Sequence, residues 1–204
     1  MNAALEMSQT KVSEDNLKKY FDQKPSIVNS SPSVAAIDTI NKILVDTKKH
    51  TYTIPVDVAK VAERFGILVQ EIQLSDADGA LTKEENEPFK ASLKLFQSEH
   101  RKRFTLAHEI GHFVKDYQNY GWQDKMGELV HRSQLSSLGK DPDEIWANTY
   151  AATLLMPASA LKTVYNKFCN VMDSEDVEGY LADVFNVSPE SMHYRLLSVE
   201  LDNE

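Results

Sequence analysis

His108-Glu109-Ile110-Gly111-His112 sits in the middle of the stretch Arg101-Lys-Arg-Phe-Thr-Leu-Ala-His-Glu-Ile-Gly-His-Phe-Val-Lys-Asp-Tyr117. Leu106, Ile110, Phe113, Val114 and Tyr117 recur at helical spacing, which predicts an amphipathic helix. Residues four apart on a helix lie one above the other, so the imidazoles of His108 and His112 project from one face. Two neutral imidazoles held a turn apart can chelate a zinc ion and leave positions for a third protein ligand and a water. Glu109 lies about 100° round the helix from His108, within reach of a proton on that water. A lone helical histidine is ordinarily a surface or satisfied core residue. The paired histidines around one glutamate are what point to a metal. Gly111 adds to this, because glycine inside a helix costs about 1 kcal/mol relative to alanine and so marks a close approach by another helix or by the metal's surroundings.

A site of this kind needs a third ligand, and Cys169 is the only cysteine, so the site must be built from nitrogen and oxygen. Asp141-Pro142 reads as a helix start, with Asp at the N-cap and Pro at the first helical position. The helix runs through Glu144-Ile-Trp-Ala-Asn-Thr-Tyr-Ala-Ala-Thr-Leu-Leu-Met156 and stops at Pro157. Glu144 is the favoured third ligand, and Ala147, Ala151 and Ala152 would let the two helices pack closely. A rival reading is specific: Asp141 and Glu144 also form an Asp-x-x-Glu capping box, in which Glu144 merely bonds the helix start. Asp143 and Asp116 are further carboxylate candidates.

Around these helices the chain divides unevenly. Residues 1–32 are polar and irregular, with a short helix expected around Ser13 to Phe21, and read as a loosely held or surface-docked extension. A helix is predicted from Ser33 to Thr47, with Val34, Ile37, Ile40, Ile43 and Leu44 on its inner side. Pro55 should open a second helix over Val56 to Phe65, ended by Gly66. Strands are predicted at Leu68–Leu74, Ala80–Thr82 and Ala91–Phe96. The last of these, just ahead of the zinc helix, is either an exposed edge that pairs with an extended peptide or an ordinary sheet strand. Gln118 to Lys140, carrying Trp122, His131 and Arg132, reads as loop. A further helix is expected over Ser159 to Val171.

Composition is that of a soluble globular protein, with hydrophobic residues at 42% and charged residues at 26%, and no apolar run is long enough to cross a bilayer. The absence of a secretion signal at Met1-Asn-Ala-Ala-Leu-Glu-Met and the single cysteine lead us to expect a cytoplasmic location. Net charge is −9, and residues 173–204 hold nine of the acids against one base, Arg195. Within that acidic segment, Val177–Phe185 and Pro189–Leu197 form a helix-turn-helix outline around Asn186-Val-Ser188. Its charge would repel a phosphate backbone, so we expect packing or docking of a basic protein rather than DNA contact.

Arg103-Phe-Thr-Leu-Ala-His-Glu-Ile-Gly-His112, followed by Asp141-Pro-Asp-Glu-Ile-Trp-Ala-Asn-Thr-Tyr-Ala-Ala-Thr-Leu-Leu-Met-Pro157, resembles the ImmA/IrrE family of zinc metallopeptidases. Pro55-Val-Asp-Val-Ala-Lys-Val-Ala-Glu-Arg-Phe-Gly66 looks like that family's opening helix, and the resemblance spans about residues 55–197. Tyr150 stands where Phe is more usual, and the stretch before about residue 50 has no assigned counterpart. Carried over residue by residue, the resemblance makes His108, His112 and Glu144 the zinc ligands and Glu109 the catalytic acid/base. It implies a protein substrate, namely a helix-turn-helix transcriptional repressor whose cleavage relieves repression. The competing class is an antirepressor or toxin–antitoxin-type binding module that uses the same fold without proteolysis. An oxyanion stabiliser is expected, with His131, Arg132, Tyr150 and Tyr194 as unranked candidates.

The expected architecture is α+β: a small, mostly antiparallel sheet on a zincin-like helix, a second ligand-bearing helix packed against it, and a helix-turn-helix-like C-terminal segment. The domain expectation is an extension at 1–32, a zinc metallopeptidase domain at 33–172, and an acidic helical segment at 173–204 packed on it. No nucleic-acid or membrane partner is expected, and the oligomeric state is left open.

Overall fold

A computed structural model describes residues 30–46, 48–84, 87–120, 129–133, 141–169 and 173–199, of which 117–120, 129–133, 174 and 175 are described by backbone alone. The short helix expected around Ser13 to Phe21, and Trp122, fall outside these residues. Among the described residues no helix is long and apolar enough to cross a membrane. The described residues form seven α-helices and one mixed four-stranded sheet, an α+β arrangement.

Helix α1 (Pro32–Thr39) starts one residue before the predicted Ser33: Ser31 accepts from the Val34 amide, and Pro32 occupies the first turn. It continues as a single π-helical turn, Ile40–Leu44, closed by a bond from the Val45 amide to the Ile40 carbonyl. Its inner face differs from the predicted one. Val34 and Ile37 are exposed, while Ala35, Ala36, Thr39 and Ile40 are buried. The cause is proximity, since α1 lies directly on the helix that carries Glu144, tied by Thr39 Oγ1 to the Tyr150 hydroxyl at 2.9 Å and by Ser33 Oγ to Thr153 Oγ1 at 3.3 Å. Small side chains fill so close a contact, and the bulkier ones are turned out.

Helix α2 (Val58–Arg64) begins later than predicted. Asp57, not Pro55, marks its start by accepting from the Lys60 amide, and Pro55 follows a cis peptide bond in the preceding turn. Its end is as read. Gly66 takes the left-handed conformation at φ 69°, and the Gly66 and Ile67 amides return to the Glu63 and Ala62 carbonyls. That pattern is a Schellman stop.

Strands β1 (Leu68–Ile72), β2 (Gly79–Lys83), β3 (Lys90–Lys94) and β4 (Leu129–Ser133) lie in the order β1-β3-β2-β4. β1 and β3 run parallel, and the other two pairings are antiparallel. The sheet is therefore mostly antiparallel. β3 is interior, with a neighbour on each side, so its backbone is not an edge for an incoming peptide. Phe96, read as its last residue, lies beyond the strand at φ 62° and is almost wholly exposed. β4 falls inside the segment read as loop. Its five residues alternate too weakly to stand out, and pairing with β2 supplies the order.

Helix α3 (Glu99–Tyr120) carries the His-Glu-x-x-His stretch, and it is not amphipathic over its middle. Every residue from Thr105 to Val114 is buried. One side meets β2 and β3, another meets α2, and a third meets α4 (Pro142–Leu155), the element with which it shares its largest contact. Phe113 anchors the apolar side, with its ring 4.9 Å from Phe89 edge-on and 5.3 Å from Phe65.

After Pro157 the chain forms α5 (Ala158–Phe168), α6 (Ser174–Phe185) and α7 (Pro189–Ser198). Asn186, left-handed at φ 52°, ends α6, and Ser188 caps α7 through the Ser191 amide. Val177, Leu181, Phe185, Val187 and Met192 join the same core as the sheet and α3. Two guanidinium groups, half-buried Arg103 and buried Arg195, stitch this region in. Arg103 on α3 donates to the carbonyls of Asn186 and Val56, and Arg195 on α7 donates to the carbonyl of Met156 at the end of α4. Burial lowers the pKa of both.

Candidate metal centre

Helix α3 presents His108 and His112 one turn apart, with rings 4.7 Å between centroids and nearly perpendicular. Helix α4 supplies Glu144 from its first turn. The ring nitrogens His108 Nε2 and His112 Nε2 lie 3.0 Å apart, His108 Nε2 is 3.1 Å from Glu144 Oε2, and His112 Nε2 is 3.2 Å from Glu144 Oε1. Both imidazoles are buried, and the carboxylate keeps a small exposed edge. Contact with His108 lowers the pKa of the Glu144 carboxyl, and burial opposes that effect.

Both carboxylate oxygens of Glu144 face the histidines, so the capping-box role is not the one it plays. Asp141 caps the helix by taking the Asp143 amide at 2.9 Å. Asp143, the neighbouring candidate, is ion-paired with Lys115 of α3. That pair helps hold the start of α4 against α3. Among the described residues, the group of His, Cys, Asp or Glu side chains with clustered ligand atoms is His108, His112 and Glu144, and Asp116 is not part of it.

Close approach of α4 to α3 depends on Gly111. A Cβ there would lie 3.1 Å from Ala147 Cα, 3.2 Å from Ala147 O and 3.2 Å from Tyr150 Cδ1. The predicted reason for this glycine, contact with a second helix, is what the packing contains.

Glu109, between the two histidines, is fully buried and lies against the first residue of β2. A Cβ on Gly79 would stand 2.6 Å from Glu109 Oε1 and 2.4 Å from Thr105 Cγ2. The strand thus passes directly over the carboxylate, and only a hydrogen at this Cα leaves room for it. Asp78, just before it, accepts from Gln97 and Arg101, which ties the start of β2 to the start of α3.

Two residues of the site were not singled out from the sequence. Asn148 Oδ1 lies 2.9 Å from His108 Nδ1. It is one helical turn after Glu144, so helical spacing alone could have found it. Gly79 carried no such signal, because Asp78-Gly79 reads equally well as an ordinary turn. Of the oxyanion candidates, Tyr150 is excluded by its position: its hydroxyl is buried on Thr39. Tyr194 is exposed on α7. His131 and Arg132 occupy the β4 register positions opposite Leu81 and Ala80 of β2.

The donor set suits a divalent ion. Nitrogen and oxygen donors about 2.0–2.2 Å from a tetrahedrally held ion stand about 3.3 Å from one another, close to the separations found. Nδ1 of His108 faces the Asn148 amide oxygen, away from the side on which its Nε2 meets Glu144 and His112.

The model of the IrrE N-terminal-like domain family, Peptidase M78, matches residues 62–197. The chain belongs to this metallopeptidase family. The match covers α3, α4 and the C-terminal helices, and begins inside α2, slightly after the Pro55 from which the sequence resemblance was traced. As a family member the chain has a peptidase fold with a His, His, Glu cluster suited to a metal ion. Comparison with curated proteins gave no match.

Proposed function

We propose that this protein is a zinc-dependent endopeptidase whose metal ligands are His108, His112 and Glu144 and whose catalytic acid/base is Glu109. The observation that carries the reading is the convergence of two imidazole nitrogens and one carboxylate from two helices within 3.0–3.2 Å of one another, with a buried glutamate between the histidines. A zinc ion held there would supply Lewis acidity, polarising a scissile carbonyl and acidifying a water at neutral pH. Glu109 takes a proton from the attacking water and returns it to the leaving amine. Its burial under Gly79 fixes the carboxylate in place, so no side-chain search precedes the proton transfer. Glu144 and the histidines orient the reacting groups while α4, pressed on Gly111, keeps the three donors together.

The substrate we propose is a helix-turn-helix transcriptional repressor, cleaved in a reducing cytoplasm to relieve repression; the single cysteine suits that compartment. The acidic C-terminal segment suits docking of a basic protein and not of nucleic acid. The test is direct. Candidate repressor is incubated with zinc and either wild type or Glu109→Gln, and fragments are followed by mass spectrometry. Cleavage by wild type alone supports the peptidase. Equal derepression by both proteins without fragments supports a binding module instead.

A further inference from the structure

We infer that Asn148 is a positioning residue that sets the proton of His108: its side-chain oxygen accepts from Nδ1, so that Nε2 faces Glu144 and His112 as a bare lone pair. This inference rests on the metal-centre reading above and adds a residue to it. His108 is fully buried, so solvent does not choose its tautomer. A neutral imidazole carries one ring proton, and an amide oxygen only accepts. With Asn148 Oδ1 at 2.9 Å from Nδ1, the proton belongs on that nitrogen. The other nitrogen then points at the Glu144 carboxylate 3.1 Å away and at His112 Nε2 3.0 Å away.

Geometry explains why Asn148 can do this without fail. It stands four residues after Glu144 on α4, so the two side chains lie one above the other on a single helix face. The same face therefore provides one donor to the ion and the brace for another. Any movement of α4 against α3 moves both together, which keeps the brace in register with the site. The brace is a neutral amide, whereas many metal-bound histidines are held by a carboxylate. An amide orients the ring without adding a second negative charge beside Glu144.

Substitution separates this role from simple packing. Asn148→Ala removes the acceptor, and Asn148→Asp keeps an acceptor of nearly the same shape while adding charge. Two quantities are read: ring-nitrogen chemical shifts of His108 in zinc-free protein at mildly alkaline pH, and zinc affinity by competition with a chromophoric chelator. In wild type and Asn148→Asp, His108 should carry its proton on Nδ1. In Asn148→Ala the proton should be shared between the nitrogens. Zinc should bind about 10–100-fold more weakly to Asn148→Ala, and at least as tightly as wild type to Asn148→Asp. Circular dichroism of each variant confirms the fold. The inference is overturned if folded Asn148→Ala keeps the wild-type tautomer and zinc affinity, or if Asn148→Asp is as impaired as Asn148→Ala. His108→Ala separates the two readings. If zinc binds as well without that ring, the metal-centre reading fails, and the zinc-free tautomer measurement still decides the role of Asn148.

Discussion

Replacing Gly79 by alanine tests how the catalytic candidate is held. Gly79 does not adopt a positive φ, so alanine meets no backbone strain there and the effect is steric. The added carbon would stand 2.4 Å from Thr105 Cγ2, 2.6 Å from Glu109 Oε1 and 3.3 Å from Glu109 Cδ. Carbon atoms in contact prefer about 3.5–4.0 Å, so β2 and α3 must separate, or the two side chains must move, by about 1 Å. Overpacking of this kind costs about 1–3 kcal/mol, and alanine in place of strand glycine returns about 0.5–1 kcal/mol. A net loss of about 1–2 kcal/mol should lower Tm by about 2–8 °C for a domain of this size. Misplacing the carboxylate by about 1 Å should slow cleavage about 100-fold. Zinc affinity should hold, because none of the close contacts involves His108, His112 or Glu144. Thr105→Ser in the same background removes the nearer clash and should recover part of the stability. The Glu109 contact persists, so activity should stay low. Thermal unfolding, chelator competition and repressor cleavage measure the three effects. A Gly79→Ala protein that melts and cleaves like wild type would refute the claim that this strand presses on Glu109.

Other substitutions probe neighbouring contacts. Gly111→Ala gains about 1 kcal/mol of helix propensity but pushes on the main chain of Ala147; stability should change little while zinc binding weakens as Glu144 is carried away from the histidines, and unchanged affinity counts against the close-packing argument. Tyr150→Phe removes the bond to Thr39 and should cost about 0.5–1.5 kcal/mol by urea unfolding, with no change in cleavage rate; a large loss of rate at unchanged stability would return Tyr150 to the list of oxyanion stabilisers. Stripping zinc with a chelator should lower Tm, since a ligand at 100 times its Kd stabilises by about 2.7 kcal/mol. In Glu144→Gln the loaded and stripped proteins should melt much closer together.

Local chemistry made several parts of the molecule legible without coordinates. Asp141 and Pro142 start one helix and Pro189 another, and Gly66 stops a third, because these signals depend on a residue and its near neighbours in sequence. The same holds for His108 and His112, which helical pitch alone places together. Glu144 was reached by spacing and by resemblance to the ImmA/IrrE family, and its competing role as a cap disappears only once its carboxylate oxygens are seen to face the two imidazoles.

What depends on distances between elements was not written in any local pattern. Val34 and Ile37 share a helix side with Ile40, yet the closeness of α1 to α4 selects Ala35, Ala36 and Thr39 for the interface. The apolar stripe of α3 reads as one buried face, but sheet and helices enclose it on all sides from Thr105 to Val114. β3 became an interior strand and Leu129–Ser133 became β4 because strand order is a property of the sheet. A tyrosine hydroxyl on Thr39, a glycine over Glu109 and an amide on His108 are each set by a separation of about 3 Å or less between residues at least thirty positions apart. Periodicity reports which way a side chain leaves its own helix or strand; which atom it meets there is decided by the volumes and register of the partner element, and these exist only after the chain has packed.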